Sequence, residues 1–232
     1  AQIVADEKHG LIVSSDVVNE STDIKQFANQ INQAQENLGK KCEVSCGDAG
    51  YANTDELKKA DDQGQKVIVP SQKQAHDTPA KEFEKSQFQY DADKDCYTCP
   101  QGNPLSYSSF DKNKQHRVYQ IESPSLCTAC PHFGVCTKSK DGRRIRRLVN
   151  EETKLKLEAQ YKTPESQAIY KLRKQKVELP FGHIKRNLGA GAFLLRGLEG
   201  VNAEMSLLTS CFNIARMIGI LGVGPLIAKL VG

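Results

Sequence analysis

A carboxylate and several cations lie close together between Tyr170 and Lys185, in the sequence YKLRKQKVELPFGHIK. Arg173 follows Tyr170 by three residues, so on a helix the two side chains share a face and can meet one partner. A carboxylate beside a cation suits a site that holds both a divalent metal and a phosphate. Glu178 would then bind the metal, and Lys185 or Arg173 would bind the phosphate. The rival interpretation is an amphipathic helix whose charged side chains are merely solvated.

Asp48 is the second acidic candidate. It stands in the sequence GDAGY, directly after the predicted strand Lys41–Cys46. Open α/β sheets place their chemistry at the carboxyl ends of their strands, which makes Asp48 a natural metal ligand. Asp and Gly are also the usual residues of turns, so a turn role for Asp48 is the alternative.

Cysteines in the middle of the chain form a metal-ligand pattern. Two CxxC pairs can bring four thiolates to one zinc ion, and a closed site of this kind is structural rather than catalytic. Either Cys96 or Cys136 completes a set with the other three, and His132 is a further possible ligand. A chain without any zinc is the remaining alternative. The cysteines of the pattern are Cys96, Cys99, Cys127, Cys130 and Cys136.

Positive charge is concentrated in the second half of the chain. Residues 138–186 hold fifteen Lys and Arg against six Asp and Glu, a net charge of +9, whereas the whole chain carries +4. Such asymmetry indicates a polyanion partner, although a basic run can also be a solvated face. Arginine in the densest run can contact phosphates without reading bases. That run consists of Arg143, Arg144, Arg146 and Arg147.

The first 70 residues alternate between strand and helix signals, as in an α/β unit. Thr22 or Asp23 can cap the first helix, which should end near Gly39, and Asn53 or Thr54 can cap the second. The predicted strands are Gly10–Val18, Lys41–Cys46 and Lys66–Val69. Residues 71–95 are polar and are predicted to be a linker or a surface excursion.

The last part of the chain is predicted to be helical. One charged helix should run from Glu151 to about Leu179, and Pro180 should kink it or begin a new helix. A core-forming helix is predicted over Glu199–Ile218. No stretch reaches the roughly 18 apolar residues of a membrane span, and no secretion signal is seen, so we expect a cytoplasmic protein.

GDAGY after a strand, a cysteine-bearing insert, and Tyr170, Arg173, Glu178 and Lys185 before an apolar helix together resemble the DDE insertion-sequence transposases of bacteria. The resemblance implies a ribonuclease H-like α/β core, with Asp48 as the second catalytic aspartate and Glu178 as the catalytic glutamate. It implies that Tyr170, Arg173 and Lys185 contact the transposon-end DNA.

The same resemblance implies cofactors, partners and an organisation into three parts. Two Mg²⁺ or Mn²⁺ ions would serve phosphoryl transfer on double-stranded DNA, and the DNA-bound protein would be a homodimer in the bacterial nucleoid. The core would span residues 1–70 and 149–232, and a zinc-ribbon-like insert would span 71–148. The family's insert favours a zinc site formed by Cys99, Cys127, Cys130 and Cys136.

The departure from the family is at the front of the chain, where the strand that carries the first catalytic aspartate is missing. Asp6 is placed near a hairpin turn and is not assigned to catalysis. We therefore expect a truncated transposase that lacks an amino-terminal DNA-binding domain and is inactive by itself. The alternatives are a non-catalytic, zinc-stabilised DNA-binding protein and a zinc-ribbon interaction protein without affinity for DNA.

Overall fold

A computed structural model describes residues 1–231, which divide into two compact units. The first unit combines Ala1–Ala75 with the chain from Leu155 onward, and the second is His76–Lys154. The strands are β1 (Gln2–Ala5), β2 (Ile12–Asp16), β3 (Val44–Cys46), β4 (Lys66–Ile68), β5 (Gln89–Asp91), β6 (Cys96–Thr98), β7 (Pro104–Asp111), β8 (His116–Ile121) and β9 (Arg144–Leu148). The helices are α1 (Phe27–Leu38), α2 (Thr54–Asp62), α3 (Gln72–Ala75), α4 (Pro124–Thr128), α5 (Glu151–Tyr161), α6 (Pro164–Arg186), α7 (Leu198–Leu221) and α8 (Val223–Val231).

The first unit contains two separate two-stranded sheets. Strands β1 and β2 form an antiparallel hairpin, whereas β3 and β4 pair in parallel around the crossover helix α2. Phe27 and Ile31 of α1 pack with Val67 and Val69 in one apolar cluster. The unit is therefore mixed α/β, as the sequence predicts.

Three helix ends in this unit were predicted from capping residues, and two of these predictions are confirmed. Gly39 ends α1 with φ of 63°, a conformation that glycine adopts without strain. Asn53 caps α2, because its side-chain oxygen accepts hydrogen bonds from the amides of Asp55 and Glu56 at 3.0 and 3.2 Å. The predicted cap of α1 at Thr22 or Asp23 is wrong, since that helix begins at Phe27 without a side-chain cap.

The predicted single helix over 151–179 is also wrong, because the chain breaks between α5 and α6. Thr163 caps α6 by accepting a hydrogen bond from the amide of Ser166 at 3.3 Å, and Pro164 opens the helix. Helix α6 then continues through Pro180 to Arg186, so no new helix begins at that proline. Pro180 is fully buried, and its packing offsets the one backbone donor that it lacks.

Helix α7 confirms the predicted core helix and packs on the hairpin. Met205 and Phe212 are buried with Ile12 and Ile184 in one apolar cluster. By length and composition α7 is the one helix in residues 1–231 that could cross a membrane, and one such helix does not indicate a membrane protein. Its hydrogen bonds to β2, described below, show that it is part of the folded unit.

The second unit is a five-stranded antiparallel sheet in the order β5-β6-β7-β8-β9. Tyr97, Leu105 and Tyr119 from its central strands form an apolar cluster. Phe83 and Phe88 belong to the same cluster, so residues 71–95 are not merely a linker. The polar composition of that segment concealed these two core side chains.

Candidate functional site

Asp48 lies where the sequence predicts it, at the carboxyl end of β3, and it also serves a turn. It caps the short 3-10 helix Ala49–Tyr51, and its side chain accepts a hydrogen bond from the amide of Gly50 at 2.8 Å. Its second carboxylate oxygen lies 3.9 Å from a guanidinium nitrogen of Arg173, and half of the side chain is exposed. Asp48 is therefore reachable from solvent and already paired with one cation.

Arg173 contacts both Asp48 and Tyr170, the first through an ion pair and the second through a cation–π contact. Its guanidinium lies 5.3 Å from the centre of the Tyr170 ring, which confirms that the two side chains share a helix face. Tyr170 in turn makes an edge-on contact with Tyr161 at 5.2 Å. Burial raises the pKa of Tyr170, and the nearby Arg173 opposes that rise. Three of the predicted site residues, Asp48, Arg173 and Tyr170, are thus brought together.

The guanidinium of Arg173 also affects the pKa of two neighbouring side chains, Tyr51 and Cys46. Burial raises the pKa of Tyr51 to about 12, with Asp23 and Asp48 adding to the rise and Arg173 opposing it. Burial raises the pKa of the Cys46 thiol to about 11, again against the influence of Arg173. Both groups are therefore neutral near pH 7, and Cys46 is a poor nucleophile.

Glu178 and Lys185 lie elsewhere on α6. Both are exposed, and both line a groove of about 820 Å³ between α6 and α7, together with Phe212 and Arg216. Glu178 follows Arg173 by five residues, which turns its side chain about 140° around the helix axis from that of Arg173. The groove of Glu178 is thus distinct from the surface on which Asp48 meets Arg173.

This arrangement does not fit a divalent metal ion. Within residues 1–231, no group of three or more His, Cys, Asp or Glu side chains is placed to hold a metal. The Asp48 carboxylate accepts a hydrogen bond and faces a cation, whereas Glu178 lines another cavity. A Mg²⁺ site needs near-octahedral oxygen ligands around one point, and these two carboxylates do not supply that.

The cysteines of the second unit occupy one neighbourhood beside its apolar cluster. Burial raises the pKa of Cys136, Arg143 opposes this, and the thiols of Cys127, Cys99 and Cys130 raise it further. All of these thiols are free. Cys96 instead lies within β6, where it pairs with a residue of β7.

Gly142 keeps the backbone close to this thiol neighbourhood. Its φ is 81°, and an added Cβ would lie 2.2 Å from Ile121 and 3.4 Å from the sulfur of Cys127. A side chain there would displace Ile121, which is buried. The glycine is therefore required by both backbone conformation and space.

Of the four arginines between residues 143 and 147, two point into the second unit and two point to solvent. Arg143 donates to the backbone oxygens of Cys136 and Phe83 at 2.7 and 2.8 Å. Arg147 is buried, lies 3.8 Å from the centre of the Tyr90 ring and pairs with Glu152. The exposed pair alternates with these along the strand and consists of Arg144 and Arg146.

Two asparagines of α7 that the sequence did not reveal as functional fasten the helix to β2 and to Val17, the residue directly after β2. The Asn213 side chain accepts from the amide of Ile12 and donates to its carbonyl, both at 2.8 Å. Asn202 does the same for Val17, at 2.7 and 2.9 Å. Each amide side chain thereby replaces a missing strand partner. An isolated Asn in an apolar helix pattern is the one signal that pointed to them.

A carboxylate in the second unit was missed as well. Asp95 accepts hydrogen bonds from the hydroxyl groups of Tyr119 and Tyr90, both at 2.6 Å, and lies 3.5 Å from Arg117. These contacts hold the pKa of Asp95 below its usual value, with the hydrogen bond from Tyr119 as the largest cause. The group stabilises the sheet and shows no feature of a reactive site.

The family model described as the transposase DDE domain matches residues 98–218, just over half of the chain. The chain therefore belongs to the DDE transposase family. Its function is that of the transposase of an insertion sequence, and such enzymes use divalent metals and act on DNA. The matched range contains Glu178 and begins after Asp48. Searches of curated proteins and of solved structures returned no match.

Proposed function

We propose that this transposase cleaves DNA at the ends of its insertion sequence and transfers the cut strands, with Glu178 as an essential carboxylate. The family match carries this proposal, because it spans Glu178 and the helices on both sides of it. Exposure of Glu178 in an open groove gives a DNA strand access to the carboxylate. Cationic side chains in the same groove, Lys185 and Arg216, favour a phosphate nearby.

Asp48 is proposed as the partner carboxylate, and Mg²⁺ or Mn²⁺ as the ion of the reaction. The position of Asp48 at a strand end supports the first assignment. The arrangement of residues 1–231 does not put both carboxylates on one ion. The proposal therefore requires a rearrangement that brings Asp48 and Glu178 together, and release of Asp48 from Arg173 is one part of it. A bound phosphate can release Asp48, because it competes for the same guanidinium.

The proposed DNA contacts are cations and one aromatic residue. Tyr170 and Arg173 lie beside Asp48, and Lys185 lies beside Glu178. In the second unit the exposed Arg144 and Arg146 are available to phosphates, whereas Arg143 and Arg147 act inside the unit. Duplex DNA of the element ends and the target would be the partner, bound by a homodimer in the bacterial cytoplasm.

A structural zinc ion is proposed for the second unit, held by Cys99, Cys127, Cys130 and Cys136. Cys99, Cys127 and Cys136 pack against one apolar cluster, and Cys99, Cys127 and Cys130 all lie near enough to influence the pKa of Cys136, which supports this set over one that uses Cys96. Zinc would displace the thiol protons and bind four thiolates at about 2.3 Å. The ligands must first draw closer together, since in the described chain they do not yet form a metal-holding group.

The second candidate function is DNA binding without catalysis. The observation in its favour is that Asp48 and Glu178 line different surfaces. Under this alternative the basic residues supply the affinity, and both carboxylates are incidental.

A comparison of cleavage with binding separates the two functions. The full-length transposase encoded by the element's gene is mixed with labelled duplex carrying the ends of that element, with Mg²⁺, and both nicking and affinity are measured. Glu178→Gln should abolish nicking and leave affinity within about twofold, because it removes a charge that acts on the reacting strand only. The control is Glu199→Gln, an exposed glutamate of α7 outside the groove. If the wild-type protein binds and never cuts, the binding function is correct.

A further inference from the structure

Helix α7 carries a second row of apolar side chains, on the side opposite the row that packs on the hairpin. Met205, Thr209 and Phe212 are buried on the inward side. Ile214 follows Phe212 by two residues, which turns its side chain about 200° around the helix axis and out to solvent. The outer row, which we call the outer stripe, consists of Leu207, Cys211, Ile214, Ile218 and Leu221, all of them exposed. Its leucines and isoleucines are 37–68 % exposed, so an apolar strip about 21 Å long faces solvent along this helix.

The spacing of the outer stripe is that of a coiled-coil seam. Its members follow one another at steps of four, three, four and three residues, which is the a and d repeat of helices that pack along their length. A helix that packs only on a globular core shows one wider apolar face instead. The outer stripe therefore has the period of a surface that pairs with another helix.

The charge of this surface excludes a nucleic acid as its partner. Between Met205 and Gly222 the sequence holds one charged residue, Arg216. That side chain turns back to the hairpin, where it donates to the backbone oxygen of His9 at 2.9 Å. A surface that binds phosphates needs exposed cations. The outer stripe therefore fits an apolar partner and not the DNA.

Helix α8 follows directly, contacts α7 and enlarges the exposed apolar surface. Val223, Ile227, Leu230 and Val231 are 55–83 % exposed, whereas Leu226 is buried. With the leucines and isoleucines of the outer stripe they make eight side chains, and their burial removes on the order of 300–550 Å² of apolar surface per copy. A standard interface removes about 800 Å² per partner, of which roughly 57 % is apolar. The surface of α7 and α8 is therefore large enough for a stable dimer.

We propose that the outer stripe is a dimer interface, in which it pairs with the outer stripe of a second copy of this chain across a two-fold axis. Such an axis brings the same surface of both copies together, so the surface must fit itself. An uncharged heptad seam meets this condition, because an identical helix offers the same period and the same apolar side chains. The interface rests on the homodimer of the proposed function, and it forms without DNA and without cleavage.

Sedimentation equilibrium of the full-length transposase, without DNA, tests the interface at micromolar concentrations. The wild-type protein should dimerise, and Ile214→Glu should weaken the dimer by at least about 100-fold, because each copy would bury a charge in an apolar seam. Ile214→Leu keeps the apolar side chain and should retain the dimer. The matched control is Leu155→Glu on α5, since Leu155 is 53 % exposed and Ile214 is 51 % exposed. This control should leave the dimer unchanged within about twofold.

The thiol of Cys211 reports on the outer stripe directly. Its alkylation by iodoacetamide, followed by mass spectrometry, should be at least about tenfold slower in the dimer than in dilute, monomeric protein. A wild-type protein that stays monomeric overturns the proposal, and so does a dimer that Ile214→Glu leaves intact. If Cys211 is protected equally in the monomer, another segment of the transposase covers the stripe and the proposal is wrong. None of these outcomes bears on cleavage, which is measured separately.

Discussion

Asn213 should contribute more to stability than any exposed asparagine, because one side chain satisfies two backbone groups of β2. Its oxygen accepts from the amide of Ile12 and its nitrogen donates to the carbonyl, both at 2.8 Å. Ile12 is 8 % exposed, so water does not readily replace either bond. Each buried backbone group left unpaired costs about 1–3 kcal/mol. Asn213→Ala leaves two such groups unpaired and should therefore lower the free energy of unfolding by about 2–6 kcal/mol.

Urea unfolding followed by circular dichroism measures this loss, with Asn187→Ala as the matched control. The Asn187 side chain makes an exposed hydrogen bond to His183, so its replacement should change stability by less than about 0.5 kcal/mol. Hydrogen exchange at the amide of Ile12 should accelerate in Asn213→Ala and not in the control. If Asn213→Ala is as stable as the control, the asparagine does not act as the edge partner of β2.

Three further predictions concern the second unit. Cys136→Ser should reduce bound zinc, measured by mass spectrometry of metals, whereas Cys96→Ser should leave it unchanged; equal losses would refute the ligand set. The pKa of Asp95 is lowered in the folded protein, so its stabilisation is complete above the unfolded value of about 3.9 and is lost as pH falls through the lower folded value. Tyr119→Phe should therefore lose less stability on acidification, read from urea unfolding at each pH, and an unchanged acid profile would contradict this. Arg146→Gln should reduce the salt dependence of duplex binding by about 0.9 in logarithmic slope, read from fluorescence anisotropy, and an unchanged slope would exclude a phosphate contact.

Local signals in the sequence predicted much of the secondary structure. Gly39 and Asn53 act through contacts within a few residues, so the ends that they set could be located without the fold. The apolar spacing of Met205 and Phe212 likewise predicted α7. The break before Pro164 was missed, because a continuous charged pattern concealed a Thr-Pro start signal.

The candidate site could be predicted only as separate pieces. The helical spacing of Tyr170 and Arg173 was sufficient to bring those two side chains together. Spacing cannot show that Arg173 would face Asp48 while Glu178 turned toward α7, because that depends on how α6 packs. The outward Arg146 and inward Arg147 also differ only through the pleat of β9, which the arginine run did not reveal.

Transposition in bacterial cells is the most direct test of the central assignment. A donor plasmid carries the element's ends around a resistance marker, and the transposase gene of the element is supplied separately. The marker should move to new sites. Glu178→Gln should reduce the frequency of these events to the level without transposase, whereas Glu199→Gln should leave it unchanged. Equal transposition by Glu178→Gln and the wild-type protein would contradict the role of Glu178 as the essential carboxylate.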